Sequence, residues 1–91
     1  MTIELTIPPL LQDCVGGTRT VHVEADWLDQ ALQRIQEQFP LLRPHIWDDH
    51  GQLRRHLLIF YNDTPTRWLE RTDLPLRPGD RLTIVPAVSG G

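Results

Sequence analysis

One stretch of this chain has the apolar spacing of a long helix, and segments in which apolar and polar residues alternate lie on either side of it. The apolar positions recur every three or four residues, at Leu28, Ala31, Leu32, Ile35 and Phe39. Asp26 is a favourable N-cap and Pro40 stops the pattern, so we predict a helix from Asp26 to Phe39. A single helix can bury its apolar stripe only against a sheet built from the alternating segments.

Those segments predict a sheet of four to five strands. The predicted strands are residues 3–7, Thr18 to Val23, His56 to Tyr61, a short edge element around Thr66 to Trp68, and Arg81 to Val85. Gly16-Gly17 supply the permissive backbone that reverses the chain after a loop over residues 10–17. The stretch Leu41 to Arg54 keeps no single period, so we expect an irregular connection with a short helical turn. The element order places the first and last strands side by side in a mixed sheet, which predicts an α+β domain of the β-grasp type.

Composition narrows the possible functions. At 91 residues the chain forms one domain, and its net charge of −3 with no basic cluster argues against a nucleic-acid partner. Its apolar runs are far shorter than a membrane span, and the first residues lack an export signal, so we predict no membrane association and a cytoplasmic location.

The four histidines fall on three segments without zinc-type spacing, so no metal site is expected. Cys14, the single cysteine, is interpreted as an unreactive loop thiol.

The C-terminal segment Arg77 to Gly91 carries the most specific motif. It reads as a Gly-Asp turn, an alternating strand, Pro86, small residues and a terminal Gly-Gly, and it resembles the C-terminus of the bacterial MoaD/ThiS family of sulfur carriers. The resemblance extends in weaker form over the whole chain. It is closest to the carriers that serve cysteine biosynthesis, which share the Ile7-Pro8 start and the Gly16-Gly17 turn, whereas Asn62-Asp63 stands where family members often have Asn-Gly.

The resemblance implies a specific chemistry at Gly91. An E1-like enzyme would adenylate the terminal carboxylate with ATP, and a sulfur donor would displace AMP to leave a thiocarboxylate. The carrier would then deliver sulfide to a biosynthetic enzyme. In this reading the protein is a cosubstrate and not an enzyme, it binds no cofactor, and ATP is used by its partner.

The small residues after the last strand divide the chain into residues 1–85, the β-grasp domain, and residues 86–91, a flexible tail. The resemblance implies that Val88, Ser89 and Gly90 enter the partner's active site ahead of Gly91. Alternative functions remain open: a molybdopterin-synthase small subunit, a carrier for thiamin or a specialised metabolite, or a ubiquitin-like modifier attached through Gly91. The chain contains no lysine, so a modifier of this sequence could not form side-chain-linked chains on itself.

The outward face of the sheet is the candidate docking surface. If Leu57, Ile59 and Tyr61 face the helix, alternation turns their neighbours the other way. The outward residues of the last two long strands are then Leu58, Phe60, Thr83 and Val85. An exposed apolar face indicates either a docking patch for the partner enzymes or a surface covered by residues 41–54. We expect Trp27 and Trp68 to be packing residues, and the sequence leaves Trp47 undecided.

Overall fold

The alternating segments form five strands in the computed structural model, which describes residues 1–86. The strands are β1 (Thr2–Thr6), β2 (Thr20–Glu24), β3 (Leu57–Tyr61), β4 (Thr64–Pro65) and β5 (Arg81–Pro86). They form one sheet in the order β2-β1-β5-β3-β4, in which β1 and β5 run parallel and the other neighbours are antiparallel. The first and last strands are therefore adjacent in a mixed sheet, as predicted.

Two α-helices, α1 (Leu28–Gln38) and α2 (Arg43–Ile46), connect β2 to β3. The α1 residues Leu28, Ala31 and Ile35 are buried, and each lies three or four positions from the next along one stripe. They share a core with inward-facing strand residues, namely Ile3, Leu5, Val23, Leu57, Ile59, Leu82 and Ile84. Burial of each large aliphatic side chain contributes about 1.5–3 kcal/mol, so this helix-to-sheet contact stabilises the fold substantially.

The start of α1 differs from the prediction, because Asp26 is not its N-cap. The cap position is Trp27, which makes no side-chain hydrogen bond to the helix. The first N–H groups of the helix instead donate to backbone carbonyls of a later segment: Leu28 to Leu74 at 2.9 Å and Asp29 to Thr72 at 2.9 Å. A helix end needs acceptors for its free N–H groups, and here a neighbouring chain segment supplies them.

Two segments, one predicted as a loop and the other as an edge strand, are 3-10 helices. One covers Pro9–Val15, inside the expected loop, and Gly16 (φ 77°) and Gly17 (φ 83°) then reverse the chain as predicted. The other covers Thr66–Trp68, where an edge strand was expected, and the short strand precedes it at Thr64–Pro65. The Leu69 N–H donates to the Thr66 carbonyl at 3.1 Å, which closes this turn and ends the strand pairing.

The connection between α1 and β3 is irregular with one short helix, as expected, and it adds to the core. Leu42, Ile46 and Trp47 are buried there beside residues of α1 and β3. Trp47 and Leu53 pair through an isolated bridge that folds the connection back on itself. Among residues 1–86, no helix is both long and apolar enough to cross a bilayer.

Candidate functional site

The outward face of β3 and β5 brings the four residues of the predicted docking patch together. Antiparallel pairing places Leu58 opposite Val85 and Phe60 opposite Thr83. All four are half-buried, while Ile59 between them is buried on the other face. Directly opposed residues have Cβ atoms about 4.5–5.5 Å apart, so the four side chains form one continuous surface. We call this surface, made of Leu58, Phe60, Thr83 and Val85, the sheet-face patch.

The connection between α1 and β3 lies on the opposite side of the sheet from this patch. Its buried residues belong to the core that α1 covers, and Trp47 and Leu32 of α1 line a common depression with the inward-facing Ile59. The hypothesis that residues 41–54 cover the outward face is therefore wrong. Leu58, Phe60 and Val85 also lie outside the set of half-buried apolar residues that pack against the core.

The sheet-face patch adjoins the end of the last strand. Leu57 is the register partner of Pro86, one residue beyond the Leu58 and Val85 pair. The chain continues from Pro86 to the residues predicted as tail and modification site, which are Val88, Ser89, Gly90 and Gly91. Val88, Ser89, Gly90 and Gly91 lie outside the described residues. Of the predicted tail over 86–91, the structure describes only Pro86, which is the last residue of β5. The division into a domain over 1–85 and a tail over 86–91 therefore stays a prediction.

The opposite end of β5 is held by a hydrogen-bond network around Asp80. The Tyr61 hydroxyl donates to Asp80 Oδ2 at 2.5 Å, the Asn62 side-chain amide donates to Asp80 Oδ1 at 3.1 Å, and the Arg77 N–H donates to Asp80 Oδ2 at 2.8 Å. The Asn62 side-chain oxygen also accepts the N–H of Arg81 at 3.0 Å. The network ties the turn after β3 to the start of β5, so it fixes the two strands that carry the sheet-face patch.

The ionisation of the network follows from these contacts. Burial raises the pKa of Tyr61 to about 12, with further contributions from its hydrogen bond to Asp80 and from the Asp80 charge. Burial also raises the pKa of Asp80, but the hydrogen bonds from Tyr61, Arg77 and Asn62 outweigh it and leave that pKa below its ordinary value. The sequence marks Gly79-Asp80 as a turn, whereas the role of the Asp80 carboxylate was missed because Tyr61 lies far from it along the chain.

The burial of the three tryptophans differs from the prediction. Trp47, which the sequence left undecided, is 7% exposed, whereas Trp68 is 74% exposed and Trp27 is 48% exposed. The expectation that Trp27 and Trp68 are packing residues is therefore wrong. Trp68 lies in the 3-10 helix Thr66–Trp68, where an edge strand was predicted.

Cys14 and the histidines give no sign of a reactive or metal-binding centre within residues 1–86. Cys14 is half-buried in the 3-10 helix Pro9–Val15 and packs against the core. No group of three His, Cys, Asp or Glu side chains in this part of the chain is arranged to hold a metal ion.

This geometry, a five-stranded mixed sheet with one main helix on one face and an open patch on the other, defines a ubiquitin-like β-grasp protein. The sequence profile of the ThiS family matches residues 6–91. The chain belongs to the ThiS family.

Individual relatives agree with this assignment. The sulfur carrier protein CysO of Mycobacterium tuberculosis is 28% identical over 93 residues, which cover 100% of both chains. The crystal structure of M. tuberculosis CysO matches with a TM-score of 0.79 and 26% identity, over 94% of this chain and 99% of that one. The crystal structure of SAMP1 from Haloferax volcanii matches with a TM-score of 0.76 and 26% identity over 100% of both chains. A chain in the crystal structure of the Amycolatopsis orientalis BexX/CysO complex has the same fold, with a TM-score of 0.78 and 24% identity over 98% of this chain and 99% of that one.

Proposed function

We propose that this protein is a cytoplasmic sulfur carrier that works through the carboxylate of Gly91. An E1-like enzyme would transfer AMP from ATP to that carboxylate with release of pyrophosphate. A sulfur nucleophile would then attack the carbonyl carbon and displace AMP, leaving a thiocarboxylate. A biosynthetic enzyme, in the first instance one of cysteine synthesis, would accept the sulfide.

The observation that carries this proposal is the extent of the family match, which runs through the terminal Gly-Gly. A relative named as a sulfur carrier aligns with this chain over the full length of both proteins. A carboxylate is a poor acyl donor until adenylation gives it a good leaving group, and the partner enzyme performs that adenylation. The chemistry therefore requires little of the carrier beyond its terminal carboxylate. The protein therefore acts as a cosubstrate, and ATP belongs to the enzyme that activates it.

The sheet-face patch is the proposed docking surface for the activating and accepting enzymes. Its apolar side chains are the kind that supply binding energy at an interface centre. It also lies beside Pro86, and the five residues after Pro86 can extend at most about 18 Å. An enzyme bound to the patch is thus close enough to receive Gly91 in its active site.

Attachment to other proteins through Gly91 is a second candidate function. The observation that favours it is the full-length match to SAMP1, whose name describes a small archaeal modifier protein. Because the chain has no lysine, this activity would be limited to single attachments or to linkage through an N-terminal amine.

The test is ATP-dependent pyrophosphate exchange with candidate activating enzymes. We compare the wild-type protein with a variant that lacks Gly91, a variant with one alanine added after Gly91, and Gly90→Val. Wild-type protein should support exchange, whereas the shortened and extended proteins should not. Gly90→Val should support reduced exchange, because a β-branched residue excludes backbone conformations that glycine permits. Normal exchange by the shortened protein would rule out the Gly91 carboxylate as the working group.

A further inference from the structure

A cationic depression lies at the start of β3, outside the sheet-face patch. Its basic lining residues are Arg54, Arg55, His56 and Arg67, and among residues 1–86 Asp48 is its one acidic lining residue. We call the four basic residues the cationic pocket. Three of the nine arginines of a chain with a net charge of −3 are thus gathered in one place.

Two of these guanidinium groups are held in position by backbone carbonyls. Arg54 Nε donates to the Pro44 carbonyl at 2.8 Å. Arg67 Nη2 donates to the Arg54 carbonyl at 2.9 Å and to the Leu57 carbonyl at 3.1 Å. A guanidinium has five N–H donors, so each group keeps further donors for a ligand while its orientation is already restricted.

The positive charge of the pocket is not matched by ion pairs within residues 1–86. The arginines that pair with a carboxylate in this part of the chain are Arg71, with Asp73, and Arg81, with Asp63. Asp48 is the acidic group of the pocket, but its Oδ1 accepts the N–H groups of His50 and Gln52 at 2.8 and 2.9 Å. Asp48 keeps its negative charge and offsets part of the charge of the arginines, so an anion from another molecule would meet three guanidinium groups and one carboxylate.

The cationic pocket adjoins the point where the chain leaves the sheet. His56 lines this pocket and also a neighbouring apolar depression that contains Leu57, Pro86 and Leu10. Leu57 is the register partner of Pro86, the last residue of β5. Leu10 is 86% exposed, so the neighbouring depression has an apolar rim open to a partner.

We propose that the cationic pocket docks acidic side chains at the rim of the enzyme site that receives residues 87–91. This inference rests on the proposed function, since it assumes that an enzyme takes up the C-terminal residues. Such an enzyme must surround the base of the tail, and the cationic pocket adjoins that base through His56, which also lines the depression that contains Pro86. A guanidinium group can donate two parallel hydrogen bonds to one carboxylate, so the expected ligands of the pocket are Asp and Glu side chains. The phosphates of ATP must lie near Gly91, five residues further along the chain, so they are not the expected occupant.

The first experiment uses the exchange reaction with the cognate activating enzyme and compares Arg55→Glu with Arg34→Glu. Both residues are exposed, neither is an ion-pair partner within residues 1–86, and both substitutions change the net charge equally, but Arg34 lies on α1 away from the pocket. Arg55→Glu should raise the KM for the carrier about three- to tenfold at low salt without changing kcat. The difference between the variants should shrink as salt rises from about 0.05 M to about 0.5 M, because salt screens exposed charges. Equal KM values for the two variants would overturn the proposal.

The second experiment needs no enzyme, so it separates a failure of this inference from a failure of the proposed function. A glutamate-rich peptide, and separately ATP, are titrated into isotopically labelled protein while backbone amide shifts are recorded. We expect the peptide to shift the amides of residues 53–57 and 66–68, and Arg55→Glu but not Arg34→Glu to reduce the effect. Shifts spread evenly over all exposed arginines, or stronger binding of ATP than of the peptide at the pocket, would overturn the proposal.

Discussion

The Tyr61 hydroxyl donates a hydrogen bond to Asp80 Oδ2 at 2.5 Å, joining the end of β3 to the turn before β5. The two residues are 19 positions apart, yet their contact fixes the register of the strands that display the sheet-face patch. A carboxylate that accepts several hydrogen bonds is stabilised in its charged form, and the phenol that donates to it is stabilised in its neutral form.

Removing this hydroxyl should destabilise the fold. Tyr61→Phe should lower the free energy of unfolding by about 1.5–3 kcal/mol, the usual value for a hydrogen bond to a charged group. Urea denaturation measures the change. Asp63→Asn is the matched control in the same turn, because it removes only the exposed ion pair with Arg81 and should cost less than about 1 kcal/mol.

The same pair predicts a pH dependence. The pKa of Tyr61 is raised to about 12, so its contribution is complete below the unfolded-state value of about 10 and is lost as pH rises toward 12. The pKa of Asp80 is lowered, so its contribution is present above the unfolded-state value of about 3.9 and is lost as pH falls through the folded-state value. The stability difference between wild type and Tyr61→Phe should therefore be largest near neutral pH and shrink in both directions. A difference that stays constant from about pH 9 to about pH 12 would contradict this assignment.

Substitutions in the sheet-face patch should weaken partner binding without destabilising the fold. Phe60→Arg and Leu58→Arg should each weaken binding to the activating enzyme by about 1–3 kcal/mol or more, as expected for a large apolar residue at an interface centre. Their melting temperatures should change little, since both side chains lie outside the core. Thr20→Arg is the control, because Thr20 lies on the same outward face but three strands away, about 14 Å from Phe60. Strong thermal destabilisation by Phe60→Arg would show that this residue belongs to the core.

The start of α1 gives a prediction opposite to the one that its sequence suggests. Asp26→Ala should change the free energy of unfolding by less than about 0.5 kcal/mol, whereas loss of a true N-cap costs about 1 kcal/mol. Asp29 accepts the Gln30 N–H at 2.7 Å within the first turn, so Asp29→Ala should cost more, about 0.5–1.5 kcal/mol. Chemical denaturation of both variants tests the order, and a larger effect at Asp26 would reverse our interpretation of the helix start.

Trp47 and Trp68 allow a direct comparison, because the first side chain is buried and the second is exposed. Trp47→Ala empties a buried site in the core and should lower stability by about 3–5 kcal/mol. Trp68→Ala removes an exposed ring and should change stability by less than about 0.5 kcal/mol. Equal losses in thermal or urea denaturation would contradict the burial of these two side chains.

The sequence predicted those features whose signals are local and periodic. The helical stripe of α1 and the alternation in β3 gave the correct inward faces, and hence the outward positions of Leu58 and Phe60. The features it missed depend on contacts between distant segments. Carbonyls of Leu74 and Thr72 cap α1 in place of Asp26, and no spacing rule links these residues.

The candidate sites show the same division. The Gly-Gly end is itself a sequence motif, and its role stays a prediction. The outward face was predictable from alternation. The cationic pocket was not, because Arg67 comes from a separate turn and meets Arg54 only through that residue's backbone carbonyl. The adjacent run Arg54-Arg55-His56 was the only signal in the sequence, and two arginines among nine gave little reason to single it out.

Conversion of the Gly91 carboxylate to a thiocarboxylate is tested most directly by the intact mass of the protein after incubation with its activating enzyme, ATP and a sulfur source. We expect wild-type protein to gain the mass of one sulfur in place of one oxygen, fragmentation to locate the change at Gly91, and the variant lacking Gly91 to stay unmodified. An unchanged wild-type mass under conditions in which the enzyme consumes ATP with this protein, or the same gain in the shortened variant, would contradict sulfur attachment at Gly91.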